Sequence, residues 1–228
     1  MAAGESRAKG YGQYCPISRA LDVLGERWTL MIVRDLLVGT TRFNDLARGL
    51  PGLSRSLLSK RLKQLETANL VEHIGQEYFL TEGGLELQPI VFGFGAWGAR
   101  WTFGEPDEEE LDPEILVWWM HRRLDTEGFP GRRNVFHIRF TDHSRQFWIV
   151  VEAGDASVCI ADPGFDVAVT TVSDLATLHN VWLGRLPIQH AIRSGRLQFI
   201  GPAALVRRMP TVFRLSPMAP LVTAAANR

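Results

Sequence analysis

The stretch GLSRSLLSKRLKQLETANLV, residues 52–71, gathers side chains that can grip an anion. Residues three and four apart share a helical face, so Leu57, Leu58, Leu62, Leu65 and Ala68 form one apolar stripe. Ser56, Ser59, Lys60 and Lys63 then occupy the opposite side, with Arg55 at the leading turn and Ser54 as the cap. Arginine and lysine neutralise phosphate or reach guanine acceptors. Short hydroxyls let a backbone come close to a groove and bond phosphate or base edges. Arg42, in the preceding RFNDLARGLPG, adds a cation on an element that would brace the helix. An amphipathic helix with a solvated basic face has the same pattern, so the helix alone leaves both readings open. Helix, turn, helix and then a hairpin favour double-stranded DNA as the partner.

Other chemistry is sparse. The cysteines are Cys15 and Cys159, too few for a disulfide scaffold or a paired-cysteine zinc site. Cys15 precedes a helix beside Pro16 and close to Arg19, a setting that favours the thiolate, so it is a candidate reactive thiol. A small buried hydrophobe at a dimer interface is the competing use. The histidines, at 73, 121, 137, 143, 179 and 190, form no HExxH pair. No G-x-S-x-G turn, dinucleotide fingerprint or Walker loop occurs. The expectation is a protein with no catalytic set, no metal and no cofactor. Aromatics concentrate in the second half. Trp119, Phe136, Phe140, Trp148 and Trp182 are candidate walls of a ligand pocket, although filling a core is the commoner use of any one of them.

These side chains need elements to carry them. The chain has 228 residues and is 46% hydrophobic, enough for one large domain or two small ones. Its 25 cations balance 25 anions, so net charge argues for no partner, but distribution does. Residues 40–65 hold Arg42, Arg48, Arg55, Lys60, Arg61 and Lys63 against Asp45. The segment EPDEEELD, residues 105–112, holds no cation and reads as a solvated linker. No apolar run approaches the roughly 20 residues that span a bilayer, and MAAGESRAKGYGQY lacks a signal core. A cytoplasmic protein with no membrane contact is expected.

Periodicity predicts helices at 17–26, 28–38 and 42–48, the Ser54-capped helix, a hairpin about Gly75-Gln76, and a helix capped by Thr81. The first helix would bury Ile17, Ala20, Leu21 and Leu24. Asp112-Pro113-Glu114 is a strong helix start. Strand-like runs follow at 134–141, 146–153, 157–162 and 166–171, in an expected antiparallel meander, then helices at 173–182, 187–194 and 202–209 around the strand RLQFI. The fold class is α+β: an N-terminal domain of helix, turn, helix and hairpin at 1–104, the acidic linker at 105–112, and an α+β domain at 113–228 whose mainly antiparallel sheet is covered by helices.

Residues 15–82 resemble the HxlR family of winged-helix transcription regulators, relatives of the MarR-type repressors. CPISRALDVLGERW, RFNDL, LPGLSRSLLSKRLKQLETANLVE and YFLTEGG carry the likeness. It implies a homodimer on a palindromic operator, one recognition helix per half-site. It also implies an oxidant- or electrophile-sensing cysteine at Cys15, as in some members. Two features depart from the family pattern. Glu26-Arg27 stands where Gly-Lys is usual, and the wing is short, with His73 and Gln76 among Glu72 and Glu77. Such acids repel phosphate, which leaves most binding to the helix.

In the second half, AIRSGRLQFIGPAALVRRM resembles the end of the sterol-carrier-protein fold, a likeness that extends over about 112–215. It implies a sheet covered by helices with an apolar cavity between them, and hence an apolar small-molecule effector. The expectation is a dimeric transcription regulator tuned by that effector or by thiol oxidation. The alternative is a small-molecule carrier whose helical half is a protein-interaction module. The basic face of residues 55–63 has a task only in the first.

Overall fold

The computed structural model describes residues 10–125 and 132–226. The chain forms two compact units that part between Gly93 and Phe94. No helix among the described residues is long and apolar enough to cross a membrane.

The first unit holds α1 (Pro16–Leu24), α2 (Thr29–Leu37), α3 (Phe43–Gly49), α4 (Arg55–Thr67), β1 (Val71–Ile74), β2 (Glu77–Leu80), α5 (Glu82–Leu85) and the first turns of α6 (Gln88–Trp101). Gly39, at φ 87°, ends α2 in a conformation that favours glycine. The Ser54 hydroxyl accepts from the Leu57 N–H at 3.3 Å and caps α4. Leu58, Leu62 and Leu65 of α4 are at most 1% exposed and join Ile32, Val33 and Leu46 in one core. The wing is a two-stranded antiparallel hairpin, with Val71 opposite Leu80 and Ile74 opposite Glu77. Gly75 takes φ 64° at the first position of its two-residue turn.

Several expectations need correction here. Ile17, Ala20 and Leu21 are exposed, and Ser18 is the buried residue of α1. The stripe exists, but nothing among the described residues covers it. The Thr81-capped helix is the short α5, and α6 starts anew at Gln88.

The second unit follows with a 3-10 turn at Glu108–Glu110 and then α7 (Pro113–His121), β3 (Arg133–Phe140), β4 (Gln146–Glu152), β5 (Asp155–Cys159), β6 (Val169–Ser173), α8 (Leu175–Trp182), α9 (Ile188–Arg193), β7 (Leu197–Ile200), α10 (Ala203–Val206), α11 (Met209–Val212) and α12 (Ala219–Ala226). Asp112 caps α7 by accepting from the N–H groups of Glu114 and Ile115 at 2.8 and 3.2 Å. The acidic stretch is folded rather than free: Asp107 and Glu110 form a capping box, and Arg185 holds Glu105 at 2.9 Å.

The sheet order is β5-β4-β3-β6-β7. The first three strands form the expected meander. The fourth does not continue it. β6 crosses to the far side of β3 and runs parallel to it, with Phe136 opposite Val169 and Phe140 opposite Ser173. Alternation within a strand marks its faces but not its neighbours, so the crossover lay outside local reading. The helix expected at 202–209 is broken into α10 and α11, because Pro210 has no N–H to donate and suits only a first turn. Phe136, Ile138, Phe140, Phe147, Ile149 and Val151 share the buried face with Leu116, Val117 and Met120 of α7 and with Leu175, Leu178, Val181 and Trp182 of α8. The result is an α+β protein with a winged helix-turn-helix at its N-terminal end.

Candidate nucleic-acid interface

α4 turns its leucines inward, so its opposite side meets solvent. Ser54, Arg55, Ser56, Ser59, Lys60 and Lys63 are all exposed, as is Arg42 ahead of α3. Their surroundings differ. Arg55 donates from Nη2 to the Asn44 Oδ1 at 2.6 Å, and its guanidinium lies 5.0 Å from the centre of the Phe43 ring. Both partners sit on α3 and neither is charged. The guanidinium is held in place without losing its field. Ser54 and Ser56 hydroxyls lie 3.2 Å apart at the helix start.

Two of the cations meet acids. Lys63 pairs with Glu66 one turn on, at 2.9 Å, while staying 77% exposed. Arg42 faces Glu77 of β2 at 3.4 Å, and the Thr41 hydroxyl donates to the same carboxylate at 2.9 Å. One of the two wing acids that would repel phosphate is therefore turned onto Arg42. His73 is also occupied, stacked on its cross-strand partner Tyr78 with ring centres 4.2 Å apart. Burial, and then the charge of Glu66, raises the Tyr78 phenol above its ordinary 10.0, which keeps its hydroxyl protonated.

Arg61, counted with the basic segment, is not on this face. Its side chain is 9% exposed and reaches Glu26 at 2.6 Å and the Gln64 amide at 2.8 Å. It ties α4 to the turn after α1. Glu26, one half of the unusual Glu26-Arg27 pair, is its partner. Asn44, Glu77 and Glu26 were missed from sequence because each lies many residues from its partner and no local pattern marks the pair.

Cys15 is the N-cap residue of α1, half-buried and in extended backbone, with no capping bond from its side chain. Its carbonyl accepts from the Arg19 N–H at 3.0 Å. Four of the five aromatics proposed as pocket walls lie in or against one core, and the fifth, Trp148, does not. Phe136, Phe140 and Trp182 sit in the packed core of the second unit, and Trp119 packs half-buried against it. Trp148 alternates with the core-facing Phe147 and Ile149, so it projects to the other face, where it stacks on His137 at 4.8 Å. Among the described residues no cluster of three or more histidines, cysteines or carboxylates is placed to hold a metal.

A family profile described as HxlR-like helix-turn-helix matches residues 23–106. The HTH-type transcriptional regulator YvaP of Bacillus subtilis, itself uncharacterized, is 37% identical over 112 residues, which are 46% of this chain and 95% of the relative. This chain belongs to the HxlR-like helix-turn-helix family. A second Bacillus subtilis relative, the HTH-type transcriptional regulator YodB, is 32% identical over 108 residues, 44% of this chain and 95% of its own. The solved structure of quinone-bound YodB is 36% identical, covers 37% of this chain and 97% of that one, and superposes with a TM-score of 0.35. These relatives are transcription regulators and not enzymes. Membership makes the chain a DNA-binding transcription regulator. The family profile ends at residue 106, so the second unit lies almost wholly beyond it.

Proposed function

We propose that the protein is a homodimeric regulator, acting in the cytoplasm, that lays one α4 in the major groove of each half of a palindromic operator. The observation that carries this reading is the exposed face of Arg55, Ser56, Ser59, Lys60 and Lys63 over a buried leucine stripe, with Arg55 braced by neutral partners. Arg55 and the leading serines approach base edges, while Lys60 and Lys63 hold phosphate. The apolar residues left exposed on α1 (Ile17, Leu21) and on α6 (Phe94, Trp97, Trp101) supply area for a two-fold interface. Half-sites then repeat at about 10 base pairs or a multiple. The test is selection of bound DNA from a random library, followed by titration of the recovered operator. A triple alanine variant at 55, 60 and 63 loses operator binding; unchanged affinity would refute this use of the face.

Cys15 serves as the thiol that an oxidant or electrophile modifies. Its half-buried place at the start of α1 and the quinone-bound structure of the relative YodB support this. Cys15→Ser abolishes the response of operator affinity to a quinone and leaves basal binding intact. The second unit is a sterol-carrier-like domain that receives an apolar effector, a reading supported by its mainly antiparallel sheet with helices packed on the buried face. An effector changes DNA binding only by preferring one spacing of the two recognition helices over another.

A further inference from the structure

An open groove of about 740 Å³ lies beside α12, within the second unit. That volume falls in the range of roughly 300–1,000 Å³ typical of small-molecule sites. Its walls are apolar: Leu215, Pro217, Ala219, Pro220 and Ala224. Ser216 and Thr223 also line it, but their hydroxyls are engaged within the fold. Ser216 accepts from the Met218 N–H at 3.2 Å, and Thr223 donates to the Gly184 carbonyl at 3.1 Å.

Arg123 is the charged side chain of the groove. Its Nε donates to the Leu215 carbonyl at 2.8 Å, which fixes the guanidinium at the groove wall. No carboxylate among the described residues pairs with it, and Asp125 pairs with Arg214 instead, at 3.4 Å. Burial, and then the neighbouring Arg214, pushes the Arg123 guanidinium below its ordinary value. The fold thus desolvates a cation, sets it against a second cation, and answers it with no anion among the described residues. One carboxylate would relieve both penalties, and the guanidinium fork suits it bidentately. With a single unpaired cation and otherwise apolar walls, the groove matches one negative charge on an apolar body.

We propose that this groove binds an apolar monocarboxylate, with its carboxylate on Arg123 and its chain against Leu215, Pro217, Pro220 and Ala224. This deepens the effector reading of the second unit and moves its site from the core aromatics to the α12 groove.

The test titrates the full chain, free of DNA, with dodecanoate, dodecan-1-ol and acetate by calorimetry and thermal shift, below the micellar range. Dodecanoate binds and raises the melting temperature; the alcohol and acetate bind at least about tenfold more weakly. Arg123→Gln weakens dodecanoate roughly ten- to a hundredfold, the worth of a charge-assisted hydrogen bond. Arg123→Lys keeps the charge and retains most of the binding. Ala224→Trp, at an exposed position, fills the groove and removes binding while leaving the unliganded melting point close to that of the parent. Equal binding of acid and alcohol, or unchanged binding in Ala224→Trp, overturns the proposal. Should Arg123→Gln fail to fold, those two arms still decide. Operator affinity is measured separately, so failure here leaves the DNA reading standing and is distinguishable from its failure.

Discussion

The leading arginine of α4 in the first unit and the ion-paired arginines of the second are held in opposite ways. In the second unit several arginines meet an acid: Arg133 with Glu152, Arg145 with Glu114, Arg185 with Glu105, Arg214 with Asp125. On α4 the leading arginine is fixed by an amide and a ring instead. An acid partner orients a cation and cancels its field. A neutral partner orients it and leaves the field for something else. Orientation without neutralisation is what a phosphate- or base-reading side chain requires. Within the second unit Arg123 is likewise held by a neutral group, a backbone carbonyl, and is set in an apolar groove.

The largest expected effect concerns what the second unit does with its aromatics. Phe136 is fully buried, so Phe136→Ala should cost about 3–5 kcal/mol in chemical denaturation, as for other large core aromatics. Trp148→Ala, on the other face, should cost much less. Similar losses for the two would break the assignment of one aromatic to the core and the other to the surface. Next comes the arginine contrast itself. Arg55→Ala should weaken operator binding by about 1–3 kcal/mol and relax base preference at the contacted position. Arg133→Ala should leave DNA affinity unchanged and alter stability by about 0–1 kcal/mol, because its pair with Glu152 is solvent-exposed.

A smaller effect sharpens the comparison from the acid side. Glu77→Gln removes the acid facing Arg42 while keeping a polar group near the Thr41 hydroxyl. Operator affinity should rise modestly, and the slope of log affinity against log salt should steepen by about 0.9. An unchanged slope would mean that Arg42 does not reach phosphate. The smallest effect is a pH dependence in the second unit. Burial lowers the His179 pKa below its ordinary 6.5, and Glu110 only partly opposes this. As pH falls below about 6.5 the unfolded chain takes up a proton that the folded chain refuses. Stability should therefore be full above that value and decline beneath it, levelling off once pH passes the lowered folded value. His179→Gln should flatten the decline, read as the denaturation midpoint against pH.

Legibility also differs between the units. The helix-turn-helix is made of neighbours in sequence, so spacing places α2, α3, α4 and the hairpin within a residue or two. The candidate DNA face was readable for the same reason: one helix sets which residues share a side. Arg61 shows where that stops. It lies on the boundary between stripe and basic face, and only Glu26, brought close by the fold, decides that it turns inward. In the second unit the alternation of β3 and β4 was plain, while the parallel pairing of β3 with β6 was not.

Sequence by itself determined the helix periods, the Ser54 and Asp112 caps, the Gly75 turn, the alternating strand faces and the family motifs. Each depends on residues within a few positions of one another, where backbone geometry fixes the outcome. Tertiary structure alone decided which cations keep their charge available, which aromatics fill the core, and that Arg123 stands in an apolar groove beside α12. Those outcomes depend on burial and on partners tens of residues away, such as Leu215 for Arg123 and Glu77 for Arg42. No local pattern encodes them, because the strength of a charge–charge contact is set by distance and surroundings that exist only once the chain has folded.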